Sequence, residues 1–335
     1  MDAADRPAAF GGPNLGGNPM SKFQAFALAT TLATFGLVVL GGIVRVTDSG
    51  LGCPDWPRCH GSFIPPAETE IWIEWSHRLA ASVIGAAILG LAIAAWRSQR
   101  SNRLVVWTAG ISLIVLVGQV TLGAIAVERE LPPEIVALHL VTGLALLSTL
   151  IVVTVAAFRG TPGALRLPWS AARRGLPLLA GTFAVTVVVM WLGAYMTEST
   201  AAYACDGWPL CNGAVIPEFD SAVRIHWTHR LLVVVLGVLL AVCTHRARKD
   251  QGRGSTAHRL ALALGVLFAA QVLVGAGNVW TDMSQYTSIT HLVLGSLIWA
   301  GLILLIAESL YAPAERAPDR RTSRQSLAPS PGAGT

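Results

Sequence analysis

Apolar residues along this chain fall into eight blocks, at 23–44, 74–96, 104–127, 135–158, 175–197, 225–244, 260–280 and 287–307. Gly, Pro and charged residues separate them. A helix of about 20 apolar residues crosses a bilayer core of about 30 Å, so the pattern predicts eight transmembrane helices. The sixth block is the weakest. Its uncharged part, 231–244, is too short to span, and it reaches full length only if 225–230 lies inside the helix. The second block has the same difficulty in milder form.

Composition supports the pattern. The chain has 335 residues, 53% hydrophobic and 13% charged, with a mean hydropathy of +0.57. A soluble domain carries about 25% charged residues, so the composition excludes a disordered chain and argues against an ordinary soluble enzyme. The net charge of +5 would suit nucleic acid, but its distribution gives it another purpose. With the N-terminus inside, 18 of the 24 basic residues fall on the inner side; the outer side keeps Arg45, Arg58, Arg78, Arg129, Arg224 and Arg230. That asymmetry is the positive-inside signal of a membrane protein, and no nucleic-acid partner is expected. The first block has no small-x-small cleavage site and is read as a retained span. The expected organisation is a disordered inner N-terminus (1–22), a four-helix half (23–158), an inner linker (159–174), a second four-helix half (175–310) and a disordered inner tail (311–335). Both termini are then cytoplasmic.

The two halves are copies. Cys53, Trp56, Pro57, Cys59, Gly61, Ile64 and Pro65 recur 152 residues later as Cys205, Trp208, Pro209, Cys211, Gly213, Ile216 and Pro217. Trp75, His77, Arg78 and Leu79 recur as Trp227, His229, Arg230 and Leu231. Gln119, Gly123, His139 and Gly143 recur as Gln271, Gly275, His291 and Gly295. Four spans per half is an even number, so the halves share one orientation, as parallel repeats do. The expected fold is all-α: eight transmembrane helices in two pseudo-symmetric four-helix bundles.

Four histidines keep the offset: His77, His139, His229 and His291. Each lies within about two turns of the outer end of an even-numbered span. His77 and His139 thus share one depth, and so do His229 and His291. Two histidines at one depth on two helices of a bundle can ligate one haem iron from both faces. A single such histidine would be read as snorkelling to the interface, but four, paired and duplicated, favour haem. Zinc is disfavoured because no third or fourth ligand stands at that depth in both halves. Arg78 and Arg230 follow ligand candidates; haem propionates and simple snorkelling explain them equally. The halves differ at one place. Glu74 lies three residues before His77 on the same helix face, whereas His226 stands three residues before His229. A carboxylate at one site only suggests proton transfer there and a different task for the other site.

Cys53/Cys59 and Cys205/Cys211 lie in the two long outer loops, where each pair can form a short disulfide. A structural staple is the first reading; redox activity of the first pair is the second. Cys243 has no partner and reads as inert packing. His60, His245 and His258 read as solvated.

With these residues laid out, 23–310 resembles the haem A synthase family. The motifs that carry the resemblance are Gly41-Gly42-x-Val44-Arg45-x-Thr47-x-Ser49-Gly50-Leu51, Cys53-Pro54-x-Trp56-Pro57-x-Cys59, Glu74-x-x-His77-Arg78 and the second His229-Arg230. The resemblance implies an enzyme of a bacterial plasma membrane that oxidises one methyl group of haem O. Two successive hydroxylations would give a geminal diol, which loses water to the formyl group of haem A. It further implies haem b on His229 and His291, substrate haem flanked by His77 and His139, Glu74 as the catalytic carboxylate, and disulfides in both loops. Implied partners are an unidentified electron donor, the haem O synthase, terminal oxidase assembly and, in some members, further copies of the chain. The farnesyl tail of haem O calls for an opening to lipid in the first half. The rival readings are a transmembrane dihaem electron carrier and a non-catalytic haem carrier. Neither needs Glu74 in one half alone. A secondary transporter is disfavoured because no span is visibly broken at its middle.

Overall fold

The computed structural model describes residues 19–160 and 169–311. Most of the expected inner N-terminus, half of the linker and nearly all of the tail lie outside the described residues. Every apolar block sits inside a helix: α1 (Lys22–Val46), α2 (Thr69–Ser98), α3 (Arg103–Glu128), α4 (Pro133–Arg159), α5 (Trp169–Glu198), α6 (Ser221–Gln251), α7 (Thr256–Trp280) and α8 (Gln285–Tyr311). All eight are long and apolar enough to cross a membrane. A helix satisfies its own backbone hydrogen bonds, which hydrocarbon requires. The chain is therefore an all-helical, multi-pass membrane protein. The doubtful sixth span is resolved by α6, which begins at Ser221 and carries His226 to Arg230 within it. In the other direction, α5 starts before residue 175, inside the expected linker. Arg173 and Arg174 end the apolar run without ending the helix.

Polar side chains fix where the helices begin. Ser21 and Gln24 form a reciprocal capping box at α1. Asn102, Asp220 and Ser255 cap α3, α6 and α7 by accepting from the backbone N–H three residues on. Pro133 opens α4, where its missing N–H costs nothing.

Within the first half, α1 packs on α2, α2 on α3, α3 on α4, and α4 back on α1; α5 to α8 repeat that closed ring. The halves meet through α4–α5, α4–α8 and α1–α8. Exchanging α1 with α5 and α4 with α8 leaves this set unchanged, as a two-fold relation between the halves requires. Each ring has its own aliphatic core at the end away from the cysteine loops. In the first, Ile88, Leu146, Leu150 and Val153 are buried together. In the second, Leu240, Ile298, Leu302 and Leu305 occupy the corresponding positions. A third cluster, with Leu147, Ile151, Trp299 and Ile303, fills the seam between α4 and α8. The seam also carries polar ties. Trp299 Nε1 donates to Ser148 Oγ at 2.7 Å, Arg45 pairs with Glu198 at the cysteine-loop end, and Arg159 pairs with Glu308 at the opposite end, 2.6 Å apart. Apolar packing thus fills one end of each ring and leaves the other for polar groups.

Candidate functional site

The two loops over that end are built alike. Short 3-10 turns, Ser49–Leu51 and Ala201–Tyr203, follow α1 and α5. Disulfides Cys53–Cys59 and Cys205–Cys211 close the next segments, and isolated bridges pair Cys59 with Ser62 and Cys211 with Ala214. His60 and Asn212 hold left-handed backbone in the tight turns, where Asn is favoured among side-chain residues. His60 was expected to be merely solvated. Its ring is exposed, yet Nε2 donates to Gly52 O at 3.0 Å, and Asn212 Nδ2 donates to Ala204 O at 3.2 Å in the matching place. The Asp55 carboxylate accepts from the backbone N–H of Gly61 and of His60, at 2.9 and 2.6 Å. Those bonds, Gly61 first, hold its carboxyl below the ordinary value of 3.8.

Each loop is tied to the helix after it. Trp75 Nε1 donates to Phe63 O and Trp227 Nε1 to Val215 O, at 2.8 and 2.9 Å. Arg78 reaches into its loop and donates to the carbonyls of Cys53 and Asp55 at 2.6 Å and of Arg58 at 3.0 Å. Arg230 donates to Gly207 and Leu210 at 3.1 Å. The guanidinium is therefore a loop tether in both halves, a job that neither the propionate nor the snorkelling reading included.

The repeated histidines come together in pairs. His77 of α2 stands in the same four-helix ring as His139 of α4, and His229 of α6 in the same four-helix ring as His291 of α8. Every ring rests against a glycine on a neighbouring helix. A Cβ placed at Gly41, Gly123, Gly193 or Gly275 would lie 3.0–3.2 Å from the Cε1 of His77, His139, His229 or His291 respectively. Small residues let helices approach closely in a membrane; here they also admit an imidazole. The offset of 152 links Gly41 to Gly193, and applying it to glycines would have found this seat. All four Nδ1 atoms are buried without a hydrogen-bond partner, although each residue as a whole is only half-buried. His258, expected to be solvated, likewise has a buried, unpartnered Nδ1, because the first turn of α7 packs into the bundle.

Four imidazoles, two per half, with orphaned ring nitrogens fit the axial ligand set of a haem in each ring. Among the described residues no group of three or more His, Cys, Asp or Glu could hold a metal ion. A haem needs only two protein ligands, and the donor set matches that need.

One pair of positions breaks the repeat. Glu74 is buried, with 5% of its surface exposed, and accepts from Arg78 Nε at 2.6 Å. A buried carboxylate is tolerated when paired in this way. His226 is buried to the same degree, but its Nδ1 donates to Ala201 O at 3.2 Å. Glu74 thus lies one turn before His77 and is paired with Arg78, whereas His226, one turn before His229, is turned to the 3-10 turn.

Comparison with known proteins agrees with this geometry. The model of the COX15-CtaA family, described as cytochrome oxidase assembly protein, matches residues 24–303 and 218–328. A heme A synthase of Symbiobacterium thermophilum is 33% identical over 293 residues, covering 85% of this chain and 95% of that protein. Heme A synthases of Halalkalibacterium halodurans and of an Exiguobacterium species are 31% and 32% identical, each over 82% of this chain and over 94% and 88% of their own lengths. On the extent of that match, the chain belongs to the COX15-CtaA family of cytochrome oxidase assembly proteins.

Proposed function

We propose that this chain is a haem A synthase, converting haem O to haem A in a bacterial plasma membrane with the cysteine loops outside and both termini cytoplasmic. The observation that carries the reading is the pair of equivalent histidine sites, of which only the first holds a buried carboxylate. The first half, 23–158, is the substrate half, with haem O between His77 and His139. The second half, 175–310, holds haem b between His229 and His291, and when bound that group supplies electron transfer.

The residues of the first half do the rest. The closed ring of α1 to α4 holds the porphyrin edge in a medium poor in water. Glu74, at the end of the ring where the histidines lie, takes a proton from the reacting methyl carbon or stabilises positive charge there. Arg78 holds the carboxylate in place. Oxidising the methyl group to the formyl level removes four electrons through two hydroxylations and ends with loss of water, so an electron acceptor or donor system must act with the chain. The haem O synthase and terminal oxidase assembly stand before and after it.

The test is haem extraction and mass identification from membranes expressing this chain with a haem O source. Haem A, or a hydroxylated intermediate, should be present and should vanish in Glu74→Ala. Haem O left unconverted, with the donor system intact, would overturn the reading in favour of an electron carrier or haem carrier.

A further inference from the structure

Haem chemistry gives no task to the outward edge of either cysteine loop. In the first loop Phe63 and Ile64 are each 73% exposed; in the second, Val215 and Ile216 are 75% and 71% exposed. The next residue of each loop, Pro65 or Pro217, is buried. Each loop therefore turns one side inward and holds two large apolar side chains out. Both edges are fixed in height. The carbonyls that accept from Trp75 and Trp227 belong to Phe63 and Val215. Those indoles lie six residues inside the starts of α2 and α6, so each edge folds back about 9 Å along its helix.

The hydrocarbon boundary lies near that height. α2 has 30 residues and α6 has 31. That is about 45 Å of helix for a hydrocarbon core of about 30 Å. A centred helix leaves about 7 Å beyond the core at each end, and an edge about 9 Å inside the helix start reaches the boundary. The neighbours agree. Leu79 and Val83 of α2 and Leu231 and Val234 of α6 are exposed, which in a spanning helix means facing lipid. Val215 joins Trp227, Leu231 and Val234 in lining a groove of about 190 Å³, so the second edge is continuous with that lipid-facing surface. Aromatic rings gather at the same height, Trp72 against Trp75 at 4.8 Å and Phe219 against Trp227 at 5.3 Å, as they do at membrane interfaces.

The repeat narrows the choice of partner. The offset of 152 matches Phe63 with Val215, so apolar character is kept while shape is not. A protein partner reads shape; a lipid layer reads apolar area. Arg58, whose guanidinium lies 5.5 Å from the centre of the Phe63 ring, can keep its charge among the headgroups while its stem lies along the edge. We propose that Phe63-Ile64 and Val215-Ile216 are seated in the lipid leaflet on the loop side. Each cysteine loop is then held from two directions, by lipid at its outward edge and by Arg78 or Arg230 from its helix. The inference is independent of the haem assignment.

Depth-dependent fluorescence quenching tests it. Ile64→Cys and Ile216→Cys place a thiol on each edge, and Glu128→Cys, exposed at the end of α3, serves as the control in water. Cys243 is buried, and the parent chain gives its background labelling. The full chains carry the fluorophore nitrobenzoxadiazole in phosphatidylcholine nanodiscs. The discs contain lipids with a nitroxide at the headgroup, near the top of the acyl chain or near its end. Both edge labels should emit at shorter wavelength than the control. They should lose most fluorescence to the nitroxide near the top of the chain, the depth of about 5–10 Å at which interfacial segments lie, and little to iodide in water. Phe63→Cys and Val215→Cys repeat the measurement one residue away, so the result does not hang on one variant. An edge label quenched by iodide and indifferent to the lipid nitroxides would overturn the proposal and leave that edge to a soluble partner. A label shielded from both quenchers would overturn it too, because a second copy of the chain would then cover the edge.

Discussion

The two halves share their helices, loops, disulfides, arginine tethers and histidine seats, and they part at residues 74 and 226. In the first half one guanidinium serves two masters: Arg78 holds three loop carbonyls and the Glu74 carboxylate together. In the second, Arg230 holds loop carbonyls alone, at longer distances of 3.1–3.5 Å. The tether is the common task, and the carboxylate is an addition to it. A buried acid without a partner is strongly destabilising, so an acid at 74 is tolerable where the guanidinium already stood. The comparison teaches that a reactive group can be added to one copy of a binding frame with little disturbance, provided the frame holds the compensating charge beforehand.

The sharpest way to break this comparison is to exchange the odd residues for a neutral amide. Glu74→Gln should lower haem A formation by about 10²- to 10⁴-fold, the usual contribution of acid–base catalysis, whereas His226→Gln should leave most of it. The ratio of haem A to haem O in extracted membranes reads both, and equal losses would remove the distinction between the halves. Next in size, His229→Ala should stop turnover while substrate haem O still co-purifies with the first half; loss of both would mean that the halves do not bind haem independently. Smaller is the stability difference between the arginines. Arg78→Ala leaves Glu74 buried and unpaired and should cost about 3–5 kcal/mol. Arg230→Ala gives up only exposed hydrogen bonds and should cost about 1.5 kcal/mol or less. Thermal unfolding of the two variants in detergent measures the difference.

The least effect concerns acidity. The carboxyl of Asp55 is held below its ordinary value of 3.8 by the N–H groups of Gly61 and His60. Its bonds to the first loop are therefore complete above that value and are lost as the pH falls through the lower, folded one. The second loop has Gly207 at the matching position. Reduction of Cys53–Cys59 by a phosphine should speed up below about pH 4, with Cys205–Cys211 unaffected, and Asp55→Asn should remove the difference.

Most of the architecture was legible in the sequence because the bilayer sets a length and the repeat sets a register. The eight spans follow from apolar block length, and the duplicated offset pairs His77 with His229 and His139 with His291 before any coordinates. Glu74 stood out because its counterpart is His226. What escaped was everything that depends on reach. The sequence places Arg78 one residue after His77 but does not tell that its guanidinium turns back to carbonyls 20–25 residues earlier. The pairs Arg45–Glu198 and Arg159–Glu308 escaped for a related reason. They join positions that are unrelated by the offset, so the one internal control in the chain could not point to them. His258 was misjudged because a histidine near a helix start has no sequence pattern that separates a packed ring from a free one, and the bond of the exposed His60 ring to Gly52 escaped for the same reason.

Those cross-seam ties bear on ancestry. If the two halves descend from a single four-helix chain that paired with itself, the offset tells what such a homodimer of either present half would contain. Arg45 corresponds to Thr197 and Glu198 to Val46, while Ser148 corresponds to Ala300 and Trp299 to Leu147. A first half paired with its twin would set arginine opposite valine, and a second half would set glutamate opposite threonine; neither would have the tryptophan and serine facing each other. Fusion has thus been followed by specialisation that works as a ratchet. The halves now recognise each other better than themselves, and separately synthesised halves should assemble as a mixed pair in preference to two identical ones.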